Sequence, residues 1–450
     1  MKDLDPQGVP RIRREPDTRH GRPPADAAGT APDPDTTPPD TAPWNTGTGD
    51  AAPHDAGDGA RRLPLEGVLV ADFSRVLAGP LASMFLADLG ATVIKVERPG
   101  TGDDTRAWGP PYIGRTSTYY TSVNRNKRSV VLDLEDPGDL ELARTLARRA
   151  DVLLENFRPG KMAHFGLDAD TLLVDNPGLV YCSVSGFGSG GGAGLPGYDF
   201  VVQAVGGLMS FTGQPGGEPT KVGVALVDVL TGLHATIAIL AALRERERSG
   251  AGQLVEVNLL SSLLSSMVNQ AAAYVNGNPP PAALGNRHPS IAPYETLATG
   301  DGPLAVAVGN DRQFARFAAA VGRPELAGDP RFAGNPQRVR HRAELVTELE
   351  AALASASAQQ WADRLQGAGI PCGPVNDLDG AFALAAKLGL DPVIALPGPD
   401  GAPIATVASP LRLTGTPVRY HRAPPGLGAD SAEVRAWLTG DGASAAPGGR

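Results

Sequence analysis

Two cysteines, Cys182 and Cys372, are all that 450 residues contain. They stand far apart and without metal-ligand spacing, which excludes a disulfide framework and gives no zinc site. A reducing cytoplasm fits such a chain. Also missing is any block of Lys or Arg long enough to form a polyanion stripe, and the formal charge is −9, so nucleic acid is not expected as a partner. No stretch of 18 or more apolar residues runs free of charges and turn breakers, and no apolar h-region follows the start, so neither a membrane span nor a secretory signal is expected. The fingerprint G-x-G-x-x-G is absent after the first apolar strand, where the chain reads FSRVLAGP. Without those glycines the backbone cannot approach a dinucleotide pyrophosphate in the usual way, which disfavours a nicotinamide cofactor even though Glu97 ends the second strand where a ribose-binding acid would stand. The run Gly186 to Gly194 is not closed by G-K-[ST] as a phosphate loop would be, and no G-x-S-x-G elbow marks a serine nucleophile.

What is present is globular: 42% hydrophobic and 20% charged residues, enough for two or three cores. Residues 1–62 hold eleven prolines and almost no large apolar side chains, so they are expected to form a disordered extension, and residues 440–450 read the same way. Between them, Val68 to Phe73 reads as a strand, Gly79-Pro80 opens a helix that Gly90 closes, and Ala91 to Val96 is a second strand, a parallel βαβ unit. Asp136-Pro137 starts a helix to about Ala150, and strands follow at Val152 to Leu154, Leu179 to Val184 and Leu254 to Val257, with an apolar helix over Leu259 to Tyr274. This alternation predicts an α/β fold with a doubly wound, Rossmann-like large domain over 63–280. A hairpin over Tyr294 to Thr299 and Leu304 to Val308, with helices near 311–321, 341–355 and 358–367, predicts a smaller α+β domain over 281–390. Ile404 to Ala408, Leu411 to Leu413 and a helix around Ala432 to Trp437 are expected to return to the large domain over 391–439.

Within VGVALVDVLTGLHATIAILAALRERER one acid, Asp228, precedes a helical pattern of Leu230, Leu233, Ile237, Leu240, Ala241 and Leu243. At a helix mouth a carboxylate meets unpaired N–H groups and the positive end of the dipole, which would keep it ionised. On these grounds alone an N-cap is the commoner role for Asp228. Arg98, Lys127-Arg128 and Arg158 sit at strand ends or in adjacent loops. Each alone suits a solvated face, and together at the edge where α/β sheets bind ligands they would suit phosphates.

The segments LEGVLVADFSRVLAGPLASMFLADLGATVIKVERPGTGDDTR, NRNKRSVVLDL, ADVLLENFRPG, PGYDFVVQAVGG, VGVALVDVLTGLHATIAILAAL and GIPCGPVNDL resemble, in order, the signatures of the class III CoA-transferases, the CaiB/BaiF family. The resemblance spans about 65 to 439. It implies that Asp228 is the nucleophile, that Leu77 and Ala78 approach the thioester, and that Arg98, Leu132, Asp133, Leu134, Glu135, Asn156, Phe157 and Arg158 contact the nucleotide and pantetheine. It further implies an interlocked-ring homodimer that takes acyl-CoA and carboxylic acid substrates, with coenzyme A as substrate and no permanently bound cofactor or metal. Two positions depart from the family pattern. His164 stands where many members have an arginine that contacts phosphate, and Leu77 replaces the glutamine of formyl-CoA:oxalate enzymes, whose second-domain glycine loop is also missing; oxalate is thus not the favoured acceptor. A racemase of α-methylacyl-CoA is the alternative within the family. It would need a base where Tyr198 stands, and tyrosine, ordinarily titrating near ~10, is a poor base at neutral pH. A non-catalytic acyl-CoA-binding protein is a third expectation, opposed by the presence of Asp228.

Overall fold

The computed structural model describes residues 62–398, 401–440 and 446–447. The extension expected over 1–62 lies outside them but for its last residue, and so does most of the tail expected over 440–450. Six strands form the central sheet: β1 (Leu69–Asp72), β2 (Thr92–Glu97), β3 (Lys127–Val131), β4 (Val152–Glu155), β5 (Val180–Ser185) and β6 (Gln253–Asn258). All neighbours are parallel, in the order β3-β2-β1-β4-β5-β6. This is the order of a doubly wound sheet, whose direction of winding reverses between β1 and β4.

Alternation along the strands divides the side chains between two cores, as burial on both faces requires. Val70, Val93, Val152, Leu154, Val180 and Cys182 face helices α1 (Ala78–Asp88), α4 (Leu226–Ser249) and α5 (Leu259–Ser266). Leu69, Ala71, Ile94, Val130, Leu153 and Tyr181 face α2 (Pro137–Arg149) and α10 (Ser431–Thr439), which contribute Leu146, Val434 and Leu438. This C-terminal helix thus packs on the second face of the sheet, where Arg435 also pairs with Asp139 at 2.7 Å, whereas Val418 packs against the first-face core.

Most of these strands lie within a residue or two of their expected positions, while β3 and a break in the helix expected over Leu259 to Tyr274 are unforeseen. That helix is two, α5 and α6 (Val268–Val275), divided where Val268 takes a φ of 39°. The hairpin β7 (Tyr294–Ala298) and β8 (Pro303–Ala307) gains an unforeseen third strand, β9 (Cys372–Pro374). With α7 (Asp311–Ala320), α8 (Arg342–Leu353) and α9 (Ala358–Gly367) it encloses a core of its own around Phe314, Phe317, Leu349 and Trp361. Pro403–Val407 pairs with Val393–Pro397, whereas Leu411 to Leu413 forms no strand.

Helix α4 is long and apolar enough, by length and composition alone, to cross a membrane, contrary to the expectation of no such stretch. In the fold Val227, Ala235, Ile239 and Leu243 bury one side of it in the sheet core.

Candidate active site

Ligands of doubly wound sheets bind outside the carboxyl ends of the strands where the winding reverses. At that point, between β1 and β4, a cleft is lined by Arg75, Leu77, Ala78, Asn156, Phe157, Arg158, Tyr198 and Asp228. A second cleft of about 350 Å³ adjoins it over the ends of β2 and β3 and is lined by Arg98, Leu132, Asp133, Leu134 and Glu135. Arg75 and Phe157 line both, with the guanidinium 5.1 Å from the ring centroid. The sequence-selected residues therefore gather along one groove, with Asp228 near one end and Arg98 near the other. His164 alone lines neither cleft; Lys161, three residues earlier, lines the second, 3.2 Å from Glu135 and 4.4 Å above the Phe165 ring.

Asp228 reaches the groove because α4 packs closely on the start of α1. A Cβ on Gly232 would lie 2.7 Å from the Ala78 carbonyl oxygen, so only glycine permits this approach, one helical turn beyond Asp228. Asp228 is not the N-cap. That position is Ala225, which offers no side-chain acceptor. Asp199 supplies the cap from another element, α3 (Asp199–Val205): its Oδ1 accepts from Val227 N–H at 2.7 Å and from Asp228 N–H at 3.3 Å. The expectation that the helix mouth keeps the Asp228 carboxylate ionised is therefore corrected. Burial, and secondarily the Asp199 charge, push it up to about 7. Tyr119, missed in the sequence, faces the same acids; burial and then Asp228 and Asp199 raise its hydroxyl to about 12, so it stays a neutral donor.

The loop after β1 is held from beneath. Val76 takes a left-handed φ of 71°, its N–H donating to Asp103 at 3.3 Å, while Asn156 Oδ1 accepts from Arg75 N–H at 2.8 Å and its Nδ2 donates to the Arg75 carbonyl at 2.7 Å. Both ends of the Asn156 amide are thus committed to the loop that carries Leu77 and Ala78. The other charged residues singled out in the sequence divide by environment. Lys127 is fully buried and paired with Asp72 at 3.2 Å, Arg128 binds Asp430 and Glu433, and Glu97 is held by Arg106 and Ser129. Of the glycine-rich run, Gly186 lines the first cleft; a Cβ there would strike Gly197 Cα at 2.6 Å, so the two glycines let the chain cross itself at the cleft wall.

The sequence profile of CoA-transferase family III matches residues 65–431. The chain belongs to CoA-transferase family III. Among curated relatives of this transferase, a succinate–glutarate CoA-transferase of Agrobacterium fabrum is 42% identical over 385 residues, covering 84% of this chain and 96% of that enzyme. The human succinyl-CoA:glutarate CoA-transferase is 40% identical, covering 82% and 85%. An acetyl-CoA:oxalate CoA-transferase of Acetobacter aceti is 43% identical, covering 70% and 81%. The crystal structure of a CAIB/BAIF family protein from Brucella suis superposes with a TM-score of 0.76 at 40% identity, covering 84% of this chain and all of that one. Membership sets aside the reading as a non-catalytic binding protein: the chain is a CoA-transferase.

Proposed function

We propose that this transferase moves coenzyme A from a succinyl-CoA-type donor to a second dicarboxylic acid through covalent intermediates on Asp228. The observation that carries this is the single groove, with a raised carboxyl near one end and the residues expected to hold the nucleotide at the other. The dicarboxylate class follows the relatives named for succinate and glutarate. Leu77 and Ala78 flank the thioester. Phe157 and Arg158 hold the pantetheine, and Arg98 with the segment 132–135 holds the nucleotide. Asn156 serves by fixing the Arg75 loop, and Lys161 supplies the phosphate contact for which His164 stands too far along its helix.

In the first step an ionised Asp228 oxygen attacks the donor carbonyl. The C–S bond breaks with its electron pair on sulfur, leaving a mixed anhydride and CoA thiolate. The thiolate then attacks the aspartyl carbonyl, giving an aspartyl-CoA thioester and releasing the donor acid. The acceptor carboxylate attacks that thioester in turn, and the thiolate so freed takes the acceptor acyl group and regenerates Asp228. One difficult exchange becomes four acyl transfers, each with a good leaving group. The exposed apolar residues Val205, Ile237, Val268, Val275 and Leu378 suit burial against a second copy in the interlocked homodimer of the family; a monomer by light scattering would remove that part of the reading.

The mechanism is tested by incubating enzyme with succinyl-CoA and then hydroxylamine. Mass spectrometry is expected to find a hydroxamate on Asp228, and Asp228→Ala, folded, is expected to form no adduct and transfer no CoA to glutarate. Full turnover by that variant would remove Asp228 from the mechanism. Rapid exchange of the α-hydrogen of a 2-methylacyl-CoA for deuterium, with no adduct, would favour the racemase.

A further inference from the structure

The first turn of an α-helix carries N–H groups with no partner inside the helix. In α4 they are met by a carboxylate from elsewhere in the chain, 29 residues from Asp228. Asp199 is nearly buried, at 9% exposure, and both of its oxygens are engaged. Oδ1 takes the N–H groups of Val227 and Asp228, and Oδ2 accepts from Gln203 Nε2 at 2.7 Å. Gln203 in turn accepts from Val222 N–H at 2.9 Å, which ties the segment leading into α4 to the same bracket. The positive end of α4 is therefore spent on Asp199, and Asp228, whose own N–H is one of the two capped, is left beside a second negative charge.

We infer that Asp199 is the positioning residue of the transfer reaction: it caps the nucleophile's helix from outside and sets its carboxylate against Asp228 until Asp228 is acylated. This rests on the reading of Asp228 as the nucleophile. Acylation turns Asp228 from an anion into a neutral anhydride or thioester, the departing electron pair residing on the CoA sulfur. The repulsion between the two aspartates then vanishes. A like charge thus disfavours the free carboxylate relative to the acyl-enzyme and makes the carboxylate more basic, which strengthens it as a nucleophile. Two other groups that face Asp228 do not substitute for this charge. Tyr119 is neutral, its hydroxyl raised by burial and then by Asp228 and Asp199, and Arg75 is paired with Asp104 at 3.3 Å. Arg158 and Tyr198 complete the charged and titratable lining of the cleft.

The test measures the rate of hydroxylamine-trappable adduct formation, in single turnover, from pH 5 to 9. Asp199→Asn keeps an acceptor for the two helix N–H groups while removing the charge and the Gln203 bond; Gln203→Ala removes that bond with the charge intact. In Asp199→Asn the acid limb is expected to move to lower pH by about one unit. Its plateau is expected to fall by about threefold, the cost of one pKa unit at a Brønsted coefficient near 0.5 as for thiolates. The profiles of variant and wild type then approach or cross at low pH, which a loss of structure would not produce, and Gln203→Ala leaves the limb in place. Asp199→Ser, a neutral capping residue, gives the same reading should the asparagine variant not fold. An adduct in the wild type with an unmoved limb in both Asp199 variants overturns the inference alone. Absence of any adduct in the wild type overturns the nucleophile, and the inference with it.

Discussion

Under the cleft floor Asp72 and Asp103 are fully or almost fully buried, and each has a lysine: Lys127 at 3.2 Å and Lys95 at 2.9 Å, both lysines at 0% exposure. Burial alone would push both carboxyls up, yet the lysine charges, with hydrogen bonds from Ser74 and Ser83 to Asp72 and from Thr105 to Asp103, outweigh it and hold them below the ordinary carboxylate range. At the end of β4 and in the first turn of α4, Glu155 and Asp228 have no ion pair among the described residues, and burial carries each up to about 7. The same solvent exclusion therefore makes one pair of acids permanently charged and the other pair titratable near neutrality. The paired set holds the backbone: Asp103 receives the Val76 N–H, and Lys95 donates to the Ser74 carbonyl at 2.7 Å. The unpaired set can change charge, which is what a nucleophile that becomes neutral in turnover must do.

The contrast is most severely tested by removing a partner from the paired set. Lys95→Met leaves Asp103 buried and uncompensated, and loss of one member of a buried pair costs about 3–5 kcal/mol. Urea unfolding should show a fall of that size, together with slower adduct formation, because the left-handed Val76 and the adjoining Leu77 and Ala78 lose their support. A fall below about 1 kcal/mol would mean that Asp103 is not held charged by Lys95, and the distinction between floor and rim would lapse.

Neither set is visible as such in the sequence. The βαβ unit, α2, β4 and β5 are legible there because apolar alternation, an Asp-Pro helix start and closing glycines are local signals. Asp228 and the groove residues are legible through the order of family motifs. By contrast β3 begins with the buried Lys127 and carries Arg128 and Ser129, which mask its strand character, and β9 is three residues long and pairs across a separation of more than sixty. The state of Asp228 is hidden from the sequence for a similar reason. The helix mouth that should have kept it ionised is filled by Asp199, and no pattern within α4 announces a cap that comes from α3. His164 matched a family position, but on this short helix it is Lys161 that lines the groove, and no local pattern distinguishes the two.

A smaller effect sharpens the unpaired side of the contrast. Glu155 Oε2 accepts from Phe157 N–H at 2.8 Å, and Gln at this position keeps an acceptor for that bond. The carboxyl is raised from 4.5 to about 7 in the fold, so the native state binds its proton more tightly than the unfolded chain does. Below pH ~4.5 both states are protonated and the group imposes no cost. Between pH ~4.5 and ~7 the unfolded state ionises while the folded state resists, so stability falls as pH rises. Above pH ~7 the penalty levels off, at no more than about 3 kcal/mol. Glu155→Gln removes this dependence. The difference in melting temperature between variant and wild type should therefore be near its minimum at pH 5, widen in favour of the variant toward pH 7, and stay constant to pH 8.5. A difference that is flat across this range, or that favours the wild type increasingly at high pH, would show that Glu155 is ionised in the fold like the paired acids beneath the floor.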